Sequence, residues 1–198
     1  MGRIIVSEFL SLDGVMEAPE HWHFPYISPD MAAATTAHIL DSNALLLGRV
    51  TFEAFAAHWP ACTNNEHGIA DKLNAMPKFV VTNSLEVVKW NNSTILRGDA
   101  VEAVRRLKMQ FEGILSIPGS ATLVEALQNA DLVDEYQLMI HPVVLGTGRR
   151  LFSQAAEVSR LHLDTTTTFA SGVVALTYRR DATASEFELH AGSSRRIP

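Results

Sequence analysis

Three short segments of the sequence carry the residue types that bind phosphate groups. Glycine lets a ligand approach the backbone closely, serine and threonine hydroxyls donate hydrogen bonds, and arginine pairs with phosphate through its planar guanidinium group. These residues predict an anion site, although a glycine–arginine pair at a strand end is also typical of a simple tight turn. The segments are Gly48-Arg49-Val50-Thr51, Thr82-Asn83-Ser84 and Pro118-Gly119-Ser120-Ala121-Thr122.

Each segment follows an apolar run that predicts a short buried strand. The strands are predicted at 44–47, 78–82 and 114–117, and helices at 51–57 and 121–129. We therefore interpret all three segments as strand-to-helix turns. Because the carboxyl ends of parallel strands meet at one edge of a sheet, we expect the segments to lie together. The free amides of the helix starts would add to the attraction for an anion.

The alternation of strands and helices predicts an α/β fold in three layers, with a central, mostly parallel sheet between helices. The last two strands flank Ala170-Ser171-Gly172, as in an antiparallel hairpin. We predict a single domain over residues 3–180, and a polar tail over 181–198 that is poorly ordered or packs on a partner chain. The other strands are predicted at 3–10, 90–96, 134–144, 159–169 and 173–180, and the other helices at 29–40, at 71–75 and after Asp99.

The composition argues against a nucleic acid, membrane or metal partner. The 198 residues carry a net charge of −6, and no run of basic residues is present. No apolar stretch reaches the roughly 18 residues of a membrane span, and the amino terminus does not resemble a signal peptide. Cys62 is the single cysteine, which excludes an internal disulfide and a zinc site built on several thiolates. We therefore expect a cytoplasmic protein.

Seven motifs follow one another along the chain. They are VSEFLSLDGV, LLLGRVTFEAF, KFVVTNSL, WNNSTILRGD, ILSIPGSATLVEAL, LVDEYQLMIHPVVLGTGRRLF and the final hairpin. In this order they resemble the dihydrofolate-reductase-like family over residues 3–179. Within that family the chain is most similar to reductase-domain proteins related to the bifunctional riboflavin-biosynthesis deaminase-reductase. The resemblance implies a mostly parallel sheet with an antiparallel carboxyl-terminal strand, flanked by helices, and the binding of NADPH.

The resemblance also implies that the three segments form one NADPH site. The first segment would lie at the cofactor phosphates, the second near the adenosine, and the third at the pyrophosphate, where a helix starts. The cofactor would carry the chemistry, and the protein would hold it against an electrophile away from water. The residues implied are Gly48, Arg49 and Thr51 in the first segment, Thr82, Asn83 and Ser84 in the second, and Gly119, Ser120, Ala121, Thr122 and Leu123 in the third.

Asp13 and Asp30 are the main candidates for a catalytic carboxyl group. The resemblance places Asp13 at a loop over the nicotinamide, although Asp13-Gly14 is also typical of an Asx turn. Asp30 lies in the helix where dihydrofolate reductases carry the acid that binds the pteridine. The matching position is nearer Ala32, however, and Asp30 would equally complement the helix dipole. Further candidates near the predicted cleft are Glu17, Glu53 and His141, of which His141 is either a cleft residue or a packed one.

Two departures from the riboflavin-type enzymes leave the substrate open. Pro118 stands where those enzymes usually carry an acidic residue, and the chain lacks the zinc signature of a deaminase. We therefore expect an NADPH-dependent reductase of a small planar heterocyclic substrate, pterin- or pyrimidine-like. One alternative is a nucleotide-binding module of the same fold without reductase activity. Another is a dimeric structural protein with an unused cleft.

Two further segments are open to more than one interpretation. The aromatic residues between His21 and Tyr26 could form a lid over a planar substrate, the edge of the core or a dimer contact. The glycines of residues 145–150 indicate a mobile loop, and Arg149 and Arg150 could meet a second phosphate or a neighbouring subunit. Because related proteins commonly pair, we expect a homodimer.

Overall fold

The computed structural model describes residues 1–62, 64–65, 68–152 and 159–180, so the predicted tail at 181–198 lies outside the described residues. Within the described residues the strands are β1 (Arg3–Ser11), β2 (Ala44–Gly48), β3 (Lys78–Val81), β4 (Ser93–Leu96), β5 (Ile114–Pro118), β6 (Glu135–His141), β7 (Leu161–Thr168) and β8 (Val174–Arg180). The helices are α1 (Pro29–Asp41), α2 (Arg49–His58), α3 (Ala70–Ala75), α4 (Ala100–Gln110) and α5 (Ala121–Asn129), with short 3₁₀ helices at Pro19–His21, Phe24–Tyr26 and Trp59–Ala61.

The strands form one sheet in the order β4-β3-β2-β5-β1-β6-β8-β7. Neighbours from β4 to β6 run parallel, while β8 is antiparallel to β6 and β7 is antiparallel to β8. The predicted α/β fold, with a mostly parallel sheet and an antiparallel carboxyl-terminal hairpin, is confirmed. β1 and β2 lie inside the sheet because their apolar runs are covered on both faces.

Apolar side chains fill both faces of the sheet and hold the helices on it. On one face, Leu46 of β2 joins a core with Val104 of α4 and Val124 of α5. On the other face, Leu45 and Leu47 of the same strand pack in a cluster that includes residues of α2 and α3. Residues of α1 pack with the carboxyl-terminal hairpin in a third cluster. The alternation along β2 therefore produces the predicted layers of helix, sheet and helix.

Among the predicted helix starts, those of α1 and α4 are confirmed, although of these two only α4 has a side-chain cap, whereas that of α2 differs from prediction. Asp99 caps α4, since its carboxylate accepts a hydrogen bond from the Glu102 amide at 2.9 Å. Ser28 stands at the N-cap of α1, ahead of Pro29, but its hydroxyl bonds the Asp30 carboxylate instead of capping the helix. α2 begins at Arg49, two residues earlier than predicted.

None of the helices in the described part of the chain has the length and apolar character needed to cross a bilayer. The same residues contain no group of three or more histidine, cysteine, aspartate or glutamate side chains that could hold a metal ion.

Candidate active site

The sheet opens into a gap between β1 and β5. β1 pairs with β5 only as far as Ser7, which lies opposite Pro118, whereas its pairing with β6 continues to Ser11. Pro118 has no N–H to continue a ladder, and Gly119 and Ser120 then turn the chain away with φ of 63° and 60°. In the described structure, the carboxyl-terminal half of β1 therefore has a neighbouring strand on one side only.

A cleft of about 1150 Å³ lies at this gap and extends along the carboxyl ends of the neighbouring strands. Clefts that hold a single drug-sized ligand measure roughly 300–1,000 Å³. The cleft is thus large enough for two ligands side by side. Its walls come from β1, from the starts of α2 and α5, from α1, and from β6, β7 and β8.

The first and third predicted segments meet at the mouth of the cleft. The Gly48 amide donates to the Ser120 hydroxyl at 2.9 Å, and the Ser120 amide donates to the Thr51 hydroxyl at 2.9 Å. A Cβ added to Gly119 would lie only 2.9 Å from Thr51 Oγ1, so the backbone there passes too close to Thr51 for any larger residue. Among the residues predicted to bind the cofactor, those lining the cleft are Gly48, Arg49, Thr51, Gly119, Ser120, Ala121, Thr122 and Leu123.

Two helices start at this junction without side-chain caps. The N-cap residue of α2 is Gly48, which has no side chain to cap the helix. The N-cap residue of α5 is Ser120, and its side chain accepts no hydrogen bond from its own helix. Ser120 uses its hydroxyl to fix the Gly48 backbone instead. First-turn amides and the helix macrodipole favour an anion at such ends.

Arg49 lines the cleft from the first turn of α2. Its guanidinium group pairs with Glu53 at 2.8 Å across one helical turn, and both side chains remain about half exposed. An exposed pair of this kind contributes little to stability, so the guanidinium can turn toward an anion at small cost.

The interpretation of the second segment as a strand-to-helix turn is wrong. β3 ends at Val81, and the next element is β4 rather than a helix. Thr82 instead closes a local turn by accepting the Ser84 amide at 3.2 Å. The Asn83 side chain bonds both the amide and the carbonyl of Gly98. Because β3 lies beside β2, this segment shares the rim with the other two, but it is not part of the cleft wall.

Asp13 and Asp30 both hold backbone outside the cleft wall. The Asp13 carboxylate accepts the amides of Leu145 at 3.1 Å and Gly146 at 2.9 Å. The Ser11 hydroxyl, followed by these amides, holds the pKa of Asp13 well below its usual value. The Ser28 hydroxyl and then the Ala170 amide lower the pKa of Asp30. Carboxyl groups kept ionised are poor proton donors, and the catalytic roles of both residues stay predictions.

The loop with Arg149 and Arg150 is tied to its own chain. Arg150 pairs with Asp13 at 3.3 Å, and Arg149 pairs with Glu125 at 3.6 Å while it lines the cleft. Glu17, another lining residue, accepts the Arg149 amide at 2.7 Å. Both arginines thus have partners within the chain.

His141 belongs to a packed aromatic cluster and not to the cleft wall. Its ring is fully buried and makes edge contacts with Phe9, Trp22 and Tyr26. Nδ1 lies 3.0 Å from the Met139 carbonyl, and a carbonyl only accepts, so this nitrogen carries the proton. Burial lowers the pKa of His141, which favours the neutral ring. Within the aromatic segment, Trp22 and Tyr26 therefore pack at the edge of the core, whereas Phe24 is exposed.

Glu8 is a cleft residue that sequence reasoning missed. It lies on β1 with only 7% of its surface exposed, and among the described residues its Oε1 has no hydrogen-bonding partner. Burial raises the pKa of Glu8 well above its usual value, while a hydrogen bond from the Gly119 amide opposes the shift. The alternation of Ile4, Val6 and Leu10 along the strand is the signal that could have identified Glu8 as buried.

The other half of the cleft is polar but carries no carboxylate. Among the described residues, those that line the cleft from α1, β6, β7 and β8 include hydroxyl, amide and imidazole groups and otherwise apolar side chains. His38 lies 3.0 Å from the buried Ser116 hydroxyl, and burial lowers the pKa of His38, so its ring is neutral. The polar members are Thr35, His38, Gln137, Thr165, Thr167 and Thr177.

Comparisons with known proteins agree with this architecture. YyaP, an uncharacterised protein of Bacillus subtilis (strain 168), is 30% identical over 182 residues, which is 89% of this chain and 94% of YyaP. A putative riboflavin biosynthesis protein from Shewanella sp. PV-4 superimposes with a TM-score of 0.72 at 20% identity, covering 90% of this chain and 99% of the other. Dihydrofolate reductase from Enterococcus faecalis, complexed with NADP(H) and RAB-propyl, gives a TM-score of 0.62 at 17% identity, covering 90% and 96%.

The two solved structures share the fold at low sequence identity, so they support a reductase-type fold and nothing finer. The family comparison extends further, since the RibD C-terminal domain matches residues 3–175, nearly all of the described chain. This match shows that the chain belongs to the RibD C-terminal domain family.

Proposed function

We propose that this protein is an NADPH-dependent reductase of a small, uncharged, planar heterocyclic compound, pterin- or pyrimidine-like. The observation that carries the proposal is the junction of Gly48–Thr51 with Gly119–Leu123 at the mouth of a cleft for two ligands. The close approach of Gly119 to Thr51 holds the starts of α2 and α5 together, beside the place where a pyrophosphate would sit.

The residues present fit a dinucleotide. The first turns of α2 and α5 would bind the phosphates through uncapped amides, and Arg49 would leave Glu53 to pair with a phosphate. Thr82, Asn83 and Ser84 lie further along the same rim and would contact the adenosine end. When bound, the cofactor supplies two electrons and one hydrogen to the substrate.

The walls from α1, β6, β7 and β8 would bind the substrate. Their hydroxyl, amide and neutral imidazole groups suit a molecule with several hydrogen-bonding atoms and no net charge. Phe9 and Met139 provide apolar surface for a flat ring in the same part of the cleft. Asp30 is outside this wall, so recognition of a protonated ring by a carboxylate is not expected.

Arg49→Ala tests the cofactor site. If Arg49 binds the 2′-phosphate, the variant should bind NADPH about 10- to 100-fold more weakly, a loss of roughly 1–3 kcal/mol, while NADH affinity changes little. Titration followed by nucleotide fluorescence measures both constants. Equal losses for the two nucleotides would place Arg49 at the pyrophosphate instead.

Arg105→Ala is the matched control for this titration. Arg105 is a similarly exposed arginine on α4, paired with Glu102 within its own helix, and it is not among the residues that line the cleft. The control should bind both nucleotides as the wild type does. If Arg49→Ala also behaves like the wild type, Arg49 is not part of a nucleotide site.

A nucleotide-binding module without reductase activity is the second candidate. The observation that favours it is the engagement of Asp13 and Asp30 in structural hydrogen bonds, away from the cleft wall. Tight NADPH binding without oxidation of NADPH in the presence of pterins, flavin precursors and quinones would support this candidate.

The predicted homodimer is tested separately by light scattering of the purified protein.

A further inference from the structure

Glu8 occupies the point where the sheet opens. It lies opposite Leu138 of β6, and the register of β1 with β5 ends one residue before it, at Ser7. Its side chain therefore emerges at the gap and lines the cleft, although the residue is more than nine-tenths buried. Its Oε1 atom is without a hydrogen-bonding partner among the described residues. A buried polar atom of this kind is satisfied by an ordered water or by a group of a bound ligand, and Glu8 faces the cleft where either can reach it.

The surroundings favour the neutral acid. Val6 and Leu10 lie on the same face of β1, and Met16 and Leu138 belong to the same apolar core. A carboxylate there would lose its hydration without gaining a cation. Burial accordingly raises the pKa of Glu8, and no charged side chain contributes to the shift. The Gly119 amide alone favours the ionised form.

Charged side chains on the neighbouring elements do not contribute to the raised pKa of Glu8, and several of them already form ion pairs with one another. Arg49 pairs with Glu53, and Arg149 pairs with Glu125 on α5. Glu17 accepts the Arg149 amide. Among the described residues, the remaining titratable groups in the cleft wall are Glu20 and His38, and burial lowers the pKa of His38, which favours its neutral ring.

We propose that Glu8 is the catalytic acid of this protein, which gives its carboxyl proton to the substrate during reduction. The inference rests on the proposed reductase function and adds a substrate class: compounds with a polar C=N or C=O bond. The carbon of that bond would receive the hydride equivalent, two electrons and one hydrogen, from bound NADPH, which would be oxidised. The π electrons move to the nitrogen or oxygen, which takes the proton from Glu8.

The products of this step balance. One C–H bond and one N–H or O–H bond form, the π bond breaks, and Glu8 is left as a carboxylate. The Gly119 amide would stabilise that carboxylate until water returns a proton. Glu8 thus needs one hydrogen-bond donor for its ionised form and an apolar site for its acid form, and the structure supplies both.

Glu8→Gln tests whether the Glu8 carboxyl group is protonated, in the protein alone and without cofactor or substrate. Infrared difference spectra at pH 7 should show the carbonyl band of a protonated carboxyl group in the wild type and in the exposed control Glu112→Gln, but not in Glu8→Gln. Above the ordinary pKa of 4.5, the folding equilibrium constant of the wild type relative to Glu8→Gln should fall about tenfold per pH unit, until Glu8 ionises. An ionised Glu8 at pH 7 would overturn the proposal.

The transfer step is tested with NADPH and 6-methyl-7,8-dihydropterin, whose C=N bond is the probe. Glu8→Gln should retain NADPH binding but lower the single-turnover rate about 10²- to 10⁴-fold, and lose the decline in rate that the wild type shows at high pH. Glu8→Asp should recover part of the rate. A wild-type rate and pH profile in Glu8→Gln would overturn the proposal, as would failure of the wild type to reduce the probe.

The two proposals can fail separately. If the wild type does not bind NADPH, the proposed reductase function and the transfer step both fail, whereas the infrared and stability measurements still decide whether Glu8 holds a proton. If NADPH binds and is oxidised equally by wild type and Glu8→Gln, the reductase function is upheld and Glu8 is not its acid.

Discussion

Gly119→Ala should weaken the fold by crowding the junction between the first turns of α2 and α5. An alanine Cβ at this position would lie 2.9 Å from Thr51 Oγ1 and 3.1 Å from Thr51 Cγ2. The residue also has a φ of 63°, which alanine adopts only with strain. Thr51 would have to rotate away, and it would then no longer accept the Ser120 amide.

The expected loss combines three costs and one small gain. The positive φ costs alanine about 1–2 kcal/mol. A displaced Thr51 rotamer costs about 1 kcal/mol, and the lost hydrogen bond costs about 1 kcal/mol. Alanine returns about 0.5 kcal/mol by restricting the unfolded chain. The free energy of unfolding should therefore fall by about 2.5–3.5 kcal/mol, with a parallel loss of NADPH affinity.

Gly98→Ala separates the close contact from the backbone strain. Gly98 has a φ of 88°, but an added Cβ would meet no atom within 4 Å. Its variant should therefore lose only about 1 kcal/mol. Urea unfolding measures the free energy of unfolding of both variants. In the double variant, Thr51→Ala should relieve part of the destabilisation that Gly119→Ala causes. Equal losses for the two glycine variants would refute the close packing of Gly119 on Thr51.

Substitutions at three further positions test the surrounding structure. Asp134→Asn should lower the free energy of unfolding by about 2–3 kcal/mol in urea, because Asp134 accepts both the Lys108 ammonium and the Ile4 amide and Lys108 is buried; an unchanged midpoint would contradict this. Asp99→Ala should cost about 1 kcal/mol and Asp99→Ser much less, because serine also caps helices. Asp13→Asn should speed hydrogen exchange of the Leu145–Gly146 amides; unchanged exchange would show that Asp13 does not anchor this loop.

The order of the elements could be predicted because each has a local signal. α5 spans Ala121–Asn129, as its apolar period and the preceding Pro-Gly-Ser predict, and Asp99 caps α4 as predicted. The element that follows the second segment is harder to predict, because Asn83 and Ser84 are typical of a turn but do not indicate whether a strand or a helix comes next. A connection that leads directly from β3 to β4 and a connection that contains a helix would begin with the same turn residues.

The gap in the sheet could not be predicted, because it depends on where two distant strands stop pairing. Ser7 and Pro118 are the last partners of β1 and β5, and no local pattern in either segment specifies that register. The burial of Glu8, by contrast, follows from the alternation of Ile4, Val6 and Leu10 along the strand. Only its position at the gap depends on the register that the sequence does not specify.

The position of β1 at the centre of the sheet has a consequence for how the chain folds. β1 precedes both of its partner strands by more than a hundred residues, since Ile4 bonds a residue 130 positions further along the chain and β5 begins at Ile114. Contacts of such long sequence separation slow folding, because the loops must close before the pairing can repay their entropy. The apolar segment Arg3–Ser11 therefore has no partner strand during much of synthesis. Unpaired apolar strands tend to aggregate, so a molecular chaperone would be needed in that period.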